Sequence, residues 1–584
     1  MRLHDSALAS KTPSQRNGAA VWHVRRRLPH PGHMAAPWSS SPLHSPPQRS
    51  TMTPKVFYAR SPLNQTPHHQ CQTAMDSPSS SGESLTSASG HKAPPADIVA
   101  RCAAIVGADH VLADPASLAR YINTTLPRHT TPALVVRPAD VGQVRQICEL
   151  ASQLGLKTHA ISCGKNWGYG DACAPEDGRL IVDLGLMNRI IEVNEQLAYV
   201  VIEPGVTQKQ LTDELDRLGS RLMADVTGAG PDASIVGNVL QRGFGHTPYG
   251  DRSVSTCNFE VVLPDGQLHR TGFGDIDASP VGHVYPYGRG PDTRGQFTQS
   301  DAGIVTRMTV WLMPRPAAIS AFFLRIDSDE QFARAIDCVS QLRQNGTINS
   351  VVHMANDLRV LSAQSWAAEI DHPPGALPES TRDQYRKRAG IARWNALGGL
   401  YGSRREVRAK QKEIRSAFRG ICRIIFVNQR LVEWLRTSSR IAPAWMIPER
   451  LANLTSSISD VYQLLNGYPS EKHLAGAFYR NRPDSGEVID AGLIWMAPVI
   501  PCTGKDAIRL ADAITAIANA HGFDLPMTIS PVTPRAAVCV TNLSYDKSDR
   551  KSAERARIAY GKIRAELDRL GYPPYRTASL KLDN

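Results

Sequence analysis

The sequence predicts an α+β fold, and three observations carry that prediction. Apolar runs of strand length recur between residues 133 and 271 and again beyond 420. Segments with apolar residues at helical spacing stand between them, closed by glycine and proline turns. With 584 residues, 42% of them hydrophobic and 21% charged, the chain is long enough for a large core and for two or three domains of roughly 100–200 residues each.

The elements follow in order. Residues 133–136 form a short apolar strand, after which Val141, Val144, Cys148 and Ala151 recur at helical spacing until Gly155 ends the helix. This strand–helix unit feeds a strand at 157–162. Strands are expected at 180–182 and 198–202, then a helix around 207–218. A hairpin comes next, in which 259–263 turns through Pro264-Asp265-Gly266 into 267–271. Beyond Pro316 the texture changes to longer amphipathic helices alternating with strands. Helix 404–419 with strand 421–427 is one such pair; strand 492–497, a helix from Asp506 to about His521 and a strand at 526–530 are another group. No internal repeat stands out.

Residues 1–95 differ from all of this. They hold 13 of the 41 prolines, 16 serines and 8 of the 18 histidines, and show little apolar periodicity. Such a segment cannot bury enough surface to offset its chain entropy, so a disordered leader is expected, with Met52 and Met75 as alternative translation starts. The leader also holds ten Lys/Arg against three Asp/Glu, which is most of the +12 net charge. The modest excess elsewhere reads as a solvated surface, and no nucleic-acid partner is expected. No stretch approaches the roughly 18–20 apolar residues of a membrane helix, and Arg25-Arg26-Arg27 lacks the apolar centre of a secretory signal. A soluble cytoplasmic protein is expected. The ten cysteines include no C-x-x-C pair, which argues against a metal site and a disulfide framework.

The chemistry concentrates in glycine-bearing segments. Ser162-Cys163-Gly164-Lys165-Asn166-Trp167-Gly168-Tyr169-Gly170 directly follows a strand, and its glycines let backbone N–H groups turn toward an anion such as a diphosphate. His159 stands where a P-loop needs glycine, and the full G-x-G-x-x-G is absent. By itself the loop is as compatible with a plain turn. Three more segments follow in order: Glu203-Pro204-Gly205, Gly237-Asn238 through Gly243-Phe244-Gly245-His246-Thr247-Pro248-Tyr249-Gly250, and Gly303-Ile304-Val305-Thr306. Independent turns do not account for this series.

The order and wording resemble the vanillyl-alcohol oxidase and p-cresol methylhydroxylase family of FAD enzymes. The resemblance rests on the 164–170 loop, on Thr247-Pro248-Tyr249-Gly250 and on Thr309-Val310-Trp311-Leu312-Met313-Pro314, with Ala392-Arg393-Trp394-Asn395 and Leu400-Tyr401-Gly402 in support. It covers residues 128–584. It implies an FAD-binding domain at 128–316, a cap domain at 317–500 over the substrate side of the flavin, and a segment at 501–584 returning to the FAD domain. FAD would be held by Ser162, Gly164, Lys165, Asn166, Gly168, Gly170, Gly237, Asn238, Gly243, Gly245, Thr247, Pro248, Tyr249, Gly303, Ile304 and Val305.

Phenol-oxidising members bind the substrate hydroxyl between two tyrosines and an arginine, and the matching positions hold Tyr169, Tyr575 and Arg576. A phenol of pKa ~10 must be shifted by about 3 units to ionise at neutral pH, worth roughly 4 kcal/mol. A guanidinium and two O–H donors shielded from water can supply that. The resemblance then implies hydride transfer from the benzylic carbon of a 4-alkylphenol or related aromatic to flavin N5, leaving a quinone methide. Electrons would pass on to dioxygen or a cytochrome c-like acceptor, and a homodimer is a further expectation. Two alternatives stay open: a flavin oxidase or dehydrogenase of another small alcohol or hydroxy acid, and a non-catalytic flavin-binding remnant.

Several positions depart from the family pattern. Val538 and Asn542 stand where members carry a histidine and an acid, so the base that activates water is not where the family places it. Gly228 falls at the place of the oxidase's acid near the flavin, with Asp225 and Asp232 close by as expected turn acids. Leu493 takes the place of the histidine used for covalent attachment, whereas Tyr479, beside Phe478, is a candidate for a tyrosyl link. The chain ends eight residues after Arg576, and on that count a truncated flavin domain is expected.

Overall fold

The computed structural model describes residues 95–582 apart from 278, 364–374, 442–457, 479–480, 482–484 and 486. The leader expected over 1–95 lies outside the described residues except for its last position, and Tyr479 lies outside them too.

The first strand–helix unit forms as its sequence dictates. β1 (Val111–Leu112), β2 (Leu134–Val136), β3 (Thr158–Ile161) and β4 (Leu180–Asp183) make a sheet in the order β1-β2-β4-β3, with β2 and β3 both parallel to β4. Parallel strands need a crossover, and the helix Val141–Gln153 carries the chain from β2 to β3 on either side of β4. Asp140 caps that helix by accepting from the Gln143 N–H, and Val144, Ile147, Cys148 and Ala151 bury against Leu134, Val136, Leu180 and Val182.

A second, antiparallel sheet follows. It is built from β5 (Ile190–Asn194), β6 (Tyr199–Ile202), β8 (Thr256–Val262), β9 (Leu268–Arg270) and β10 (Ile304–Trp311), in the order β5-β6-β10-β8-β9. The helix Gln208–Arg217, capped by Thr207, presses Leu211 and Leu215 onto Val200, Ile202 and Val261. Two short strands, β7 (Leu222–Met223) and β11 (Met313–Pro314), pair beside it.

The third sheet has eight strands. β12 (Ala318–Ile326), β13 (His353–Asn356), β14 (Trp394–Gly402), β15 (Arg423–Asn428), β16 (Gly492–Met496), β18 (Met527–Pro531) and β19 (Ala536–Tyr545) run in the order β15-β12-β14-β13-β18-β19-β16. β17 (Val499–Pro501) also pairs with β19. The helices Asp329–Gln344, Gly504–Ala520 and Arg550–Leu570 cover the face that carries Met354, Ile529 and Cys539, with Phe332, Val339, Ile514 and Ile563 in the shared core. The opposite face, with His353, Ala355, Thr528, Ser530 and Val540, borders a cavity.

β16 and β17 both pair with β19, which binds 492–545 to the strands that begin at 318. The chain meets the first sheet's glycine loop at Trp495 of β16, whose N–H donates to the Gly168 carbonyl at 3.0 Å, and again after the helix Arg550–Leu570. There the Ser579 N–H and Oγ both donate to the Tyr169 carbonyl, at 2.7 and 2.9 Å, and Leu580 and Leu582 bury in the main core.

Candidate active site

A cavity of about 1550 Å³ lies between the glycine loop, the start of β10 and the open face of the eight-stranded sheet. Pockets for a single small ligand run to roughly 300–1,000 Å³, so this one has room for a cofactor and a substrate together.

The loop between β3 and β4 is held by its own strain and by close packing. Gly164, Gly168 and Gly170 adopt φ values of +64°, +69° and +123°, which a side chain would resist. A Cβ on Gly168 would lie 2.2 Å from the Trp495 indole, and one on Gly170 would lie 1.9 Å from Ser579 Oγ. Below the loop, Asp171 Oδ2 accepts from Thr124 Oγ1 (2.6 Å), the Thr125 N–H (2.6 Å) and Thr125 Oγ1 (2.9 Å), and Thr125 Oγ1 accepts from the Gly168 N–H at 2.8 Å. Burial pushes the Asp171 carboxyl up to about 6 despite these bonds.

Of the residues expected at the cofactor, Ser162, Gly164, Lys165, Asn166, Gly237, Asn238, Gly243, Gly303, Ile304 and Val305 line the cavity. Gly168, Gly170, Gly245, Thr247, Pro248 and Tyr249 are not in its wall. The first two are glycine because Trp495 and Ser579 press against them, as above. Gly245 is glycine because a Cβ would meet Asp225 Oδ2 at 1.8 Å. Thr247 donates twice to Asp225 Oδ1, at 2.9 Å from its N–H and 2.7 Å from its hydroxyl, while Asp225 pairs with buried Arg252 at 3.1 Å. Tyr249 borders a small space behind this pair. Asp225 is thus the anchor of the 243–250 loop. Asp232 is exposed and sits 3.7 Å from Lys165, and Gly228 lines the cavity.

The structure brings Tyr169, Tyr575 and Arg576 to one wall of the cavity. The Arg576 guanidinium carbon lies 3.7 Å from the centre of the Tyr169 ring, a cation–π stack, and its Nη2 donates to Asn166 Oδ1. The Tyr575 N–H donates to the Ala497 carbonyl at 3.1 Å, which fixes the segment to the end of β16. Burial holds the Tyr169 phenol above its ordinary range, Arg576 pulls it down, and Tyr575 adds to the rise. Arg576 Nε is buried without a partner among the described residues.

Other expected positions resolve differently. Leu493 is fully buried in an apolar cluster with Ala477, Phe478 and Ala491, so nothing nucleophilic stands there. Asn542 is also buried, and its Nδ2 donates to the Ala477 carbonyl at 2.8 Å, a packing role.

Sequence reading missed the sheet side of the site. His353 Nδ1 and Ser530 Oγ are 3.0 Å apart, and the rings of His246 and Phe244 lie 4.2 and 6.1 Å from the His353 ring. Arg359 lines the same cavity, and burial draws its pKa down to about 10, still charged at neutral pH. No local motif marks these residues. Strand pairing across 177 positions brings His353 to Ser530. Among the described residues no helix is long and apolar enough to cross a membrane, and no group of three or more His, Cys, Asp or Glu is placed to hold a metal.

Comparison with known proteins agrees with this architecture. A family model described as an FAD binding domain matches residues 132–272. Over 491 residues the chain is 34% identical to the 1'-carboxy-chondrochloren decarboxylase of Chondromyces crocatus, covering 81% of this chain and 88% of that protein. Over 477 residues it is 28% identical to the flavoprotein subunit of the hydroxylating 4-cresol dehydrogenase of Pseudomonas putida, covering 81% and 86%. The structure of 4-ethylphenol oxidase from Gulosibacter chungangensis, in complex with isoeugenol, superposes with a TM-score of 0.75 at 27% identity, covering 83% of this chain and 89% of that one. The fold and its cavity are therefore those of an FAD-dependent oxidoreductase. Within that class, the chain belongs to the vanillyl-alcohol oxidase and p-cresol methylhydroxylase family.

Proposed function

We propose that the protein oxidises a 4-alkylphenol or a closely related aromatic at its benzylic carbon. The observation that carries this reading is the Arg576–Tyr169 stack with Tyr575 beside it on the wall of a single large cavity. A permanent cation and two phenolic hydroxyls on one cavity wall favour a phenolate over a phenol. FAD, when bound, accepts the hydride that leaves the benzylic carbon. The chain's own residues do the rest: the stack fixes the ring oxygen, and the sheet face opposite closes the side chain away from solvent.

Two features suit the cofactor. Trp167 Nε1 is buried at the cavity without a partner among the described residues, a donor awaiting an acceptor. A Cβ on Gly237 would stand 3.2 and 3.3 Å from the Ser162 and Ser234 hydroxyls, so glycine lets that backbone approach the loop without displacing them. Lys165 and Asn166 would sit on the charged part of FAD. Tyr479 remains the proposed covalent link. The names of two relatives support an electron acceptor of either kind, since one is a flavoprotein subunit and the other an oxidase.

The test is anaerobic mixing of the purified holoprotein with 4-ethylphenol. Loss of the visible flavin absorption with this compound, and none with lactate, is the expected outcome; the reverse would select hydroxy-acid oxidation. A second reading is oxidative decarboxylation of a phenol whose side chain bears a carboxylate. It is favoured by the Arg359 guanidinium in the cavity and by the name of the Chondromyces relative. Carbon dioxide released in step with flavin bleaching would support it.

A further inference from the structure

We propose that the substrate is a phenol with a long, uncharged apolar chain para to its hydroxyl, laid along Leu397, Phe323 and Ile425 toward the open edge of the eight-stranded sheet. The proposal rests on the phenol-oxidation reading above and names the substrate class of that site.

The sheet sets the length of the cavity. Trp495 on β16, Val540 on β19, Ser530 on β18 and His353 on β13 line it, and so do Leu397 on β14, Phe323 on β12 and Ile425 on β15. Every strand of the order β15-β12-β14-β13-β18-β19-β16 therefore contributes, and six strand spacings make a floor about 29 Å across. The phenol-binding group stands at one end, because the Tyr575 N–H donates to Ala497, the residue after β16. Ile425 stands at the other end, on the edge strand, where it is 58% exposed. The cavity thus opens at the edge farthest from Tyr575 and Arg576. β14 lies four spacings, about 19 Å, from β16, beyond the reach of a 4-ethylphenol held by those two residues.

Register places the apolar residues in one line. Leu397 stands opposite His353, Phe323 opposite Leu397, and Ile425 opposite Phe323. Directly opposed residues share a face, so beyond His353 the row carries three apolar side chains over three spacings, about 14 Å. The alternate residues Phe322, Leu324 and Ala396 already supply the core shared with the helices. An antiparallel sheet covered by helices on one face ordinarily alternates apolar and polar residues, and here the second face is apolar as well. Phe323 and Leu397 are only partly buried, packed at one side against the cluster of Tyr462 and Leu465. Val427 and, from the helix Gln429–Ile441, Leu431 extend the apolar lining around the mouth.

The polar residues beside this line are already bonded within the chain. Asn395 Oδ1 accepts from the Ala392 N–H at 3.0 Å and its Nδ2 donates to the Ala392 carbonyl at 2.9 Å. Arg325 Nη1 donates to the Gly390 carbonyl at 2.9 Å, and its Nε lies 3.3 Å from Asp327. Asp460 pairs with Lys472 at 2.8 Å. What the line offers a ligand is therefore removal of apolar surface from water, and an uncharged hydrocarbon chain is the group that gains from it.

The experiment compares 4-ethyl-, 4-butyl-, 4-hexyl- and 4-octylphenol as reductants of the holoprotein without oxygen, by stopped-flow bleaching of the flavin. The half-saturating concentration should fall about tenfold or more from ethyl to octyl, since each methylene fully buried is worth about fourfold. The limiting rate should stay within about threefold, because the added carbons bind equally before and during the reaction. Ile425→Glu puts a charge at the mouth, on a position exposed enough to accept it, and Leu397→Trp fills the line two strands short of the edge. Each should cut the ethyl-to-octyl ratio of half-saturating concentrations about fivefold or more, on the scale of one or two methylenes, with thermal melting to show that the variant folds. A half-saturating concentration that is flat or rises with chain length in the unmodified protein overturns the proposal. So does the wild-type ratio in both variants; if they also release FAD more readily, the line serves the flavin instead. Failure of the phenol reading looks different: no member of the series bleaches the flavin, and the proposal falls with it. Bleaching by 4-ethylphenol with no gain from length leaves that reading standing and removes the chain alone.

Discussion

Arg576 acts on Tyr169 through the face of its ring as well as through charge, and that geometry sets what its replacement should do. Lysine at 576 would keep the cation but lose the planar stack and the Nη2 bond to Asn166 Oδ1. Arg576→Lys and Arg576→Ala should both slow flavin reduction by 4-ethylphenol, about 10-fold or more for lysine and about 100-fold or more for alanine, on the scale of a lost donor aimed at developing charge; stopped-flow bleaching measures it. Tyr575→Phe should slow the same step without removing the cation. Unchanged rates in Arg576→Ala and Tyr575→Phe would reject phenolate binding. Asp171 offers a check that is independent of substrate. Its carboxyl titrates near 6 in the folded chain, above the unfolded value of about 3.9, so the native state binds the extra proton between those limits. The stability it contributes is complete below about pH 4 and is lost as pH rises through 6. Asp171→Asn should remove that slope, read from urea unfolding at pH 4.5 and 6.5.

At the level of elements, the glycine loop, β16 and the 571–582 segment behave as one part. Gly168 meets Trp495 of β16, Gly170 meets Ser579, and the Thr125 carbonyl accepts from both the Leu493 N–H and the Tyr545 hydroxyl, each at 2.8 Å. Gly170→Ala combines a positive φ with a clash against Ser579, and should cost about 1–3 kcal/mol of stability. Its second effect should be weaker binding of a 4-alkylphenol, because Arg576 lies three residues from the displaced serine; thermal melting and difference spectroscopy separate the two. The elements also show what one chain makes readable. The helix Val141–Gln153 and its flanking strands were legible because their periodicity and the Asp140 cap are local. β12 and β14 were not, although they are the most extensively paired strands, running Ala318–Ile326 against Trp394–Gly402. Their residues read as mixed apolar sequence until a partner some 80 positions away fixes which face is buried. His353 and Ser530 carry no local signal for the same reason, whereas Tyr169, Tyr575 and Arg576, which line the same cavity, each sit in a recognisable segment.

For the whole molecule, the cofactor should act as a structural ligand. A cofactor that binds the native state and not the unfolded chain stabilises the fold, so saturation with FAD at about 100 times its dissociation constant should add about 2.7 kcal/mol. Protein stripped of dissociable FAD should therefore melt earlier, and adding FAD should restore the midpoint. Acid precipitation sorts the mode of attachment: a yellow supernatant means dissociable FAD, and a yellow pellet would support the Tyr479 link. At this scale the sheet follows register and not chain order, which is why β16 and β17 join the strands that begin at 318. One contact carries a consequence for how the protein matures. Tyr169 and Ser579, like Asn166 and Arg576, are 410 positions apart, so bringing them together is among the most demanding loop closures in the fold. A half-made or partly collapsed chain can own a finished first sheet and still have no place for a phenol. Binding competence should then emerge late during refolding, trailing the recovery of helical signal, which makes a phenolic ligand a reporter of completed assembly.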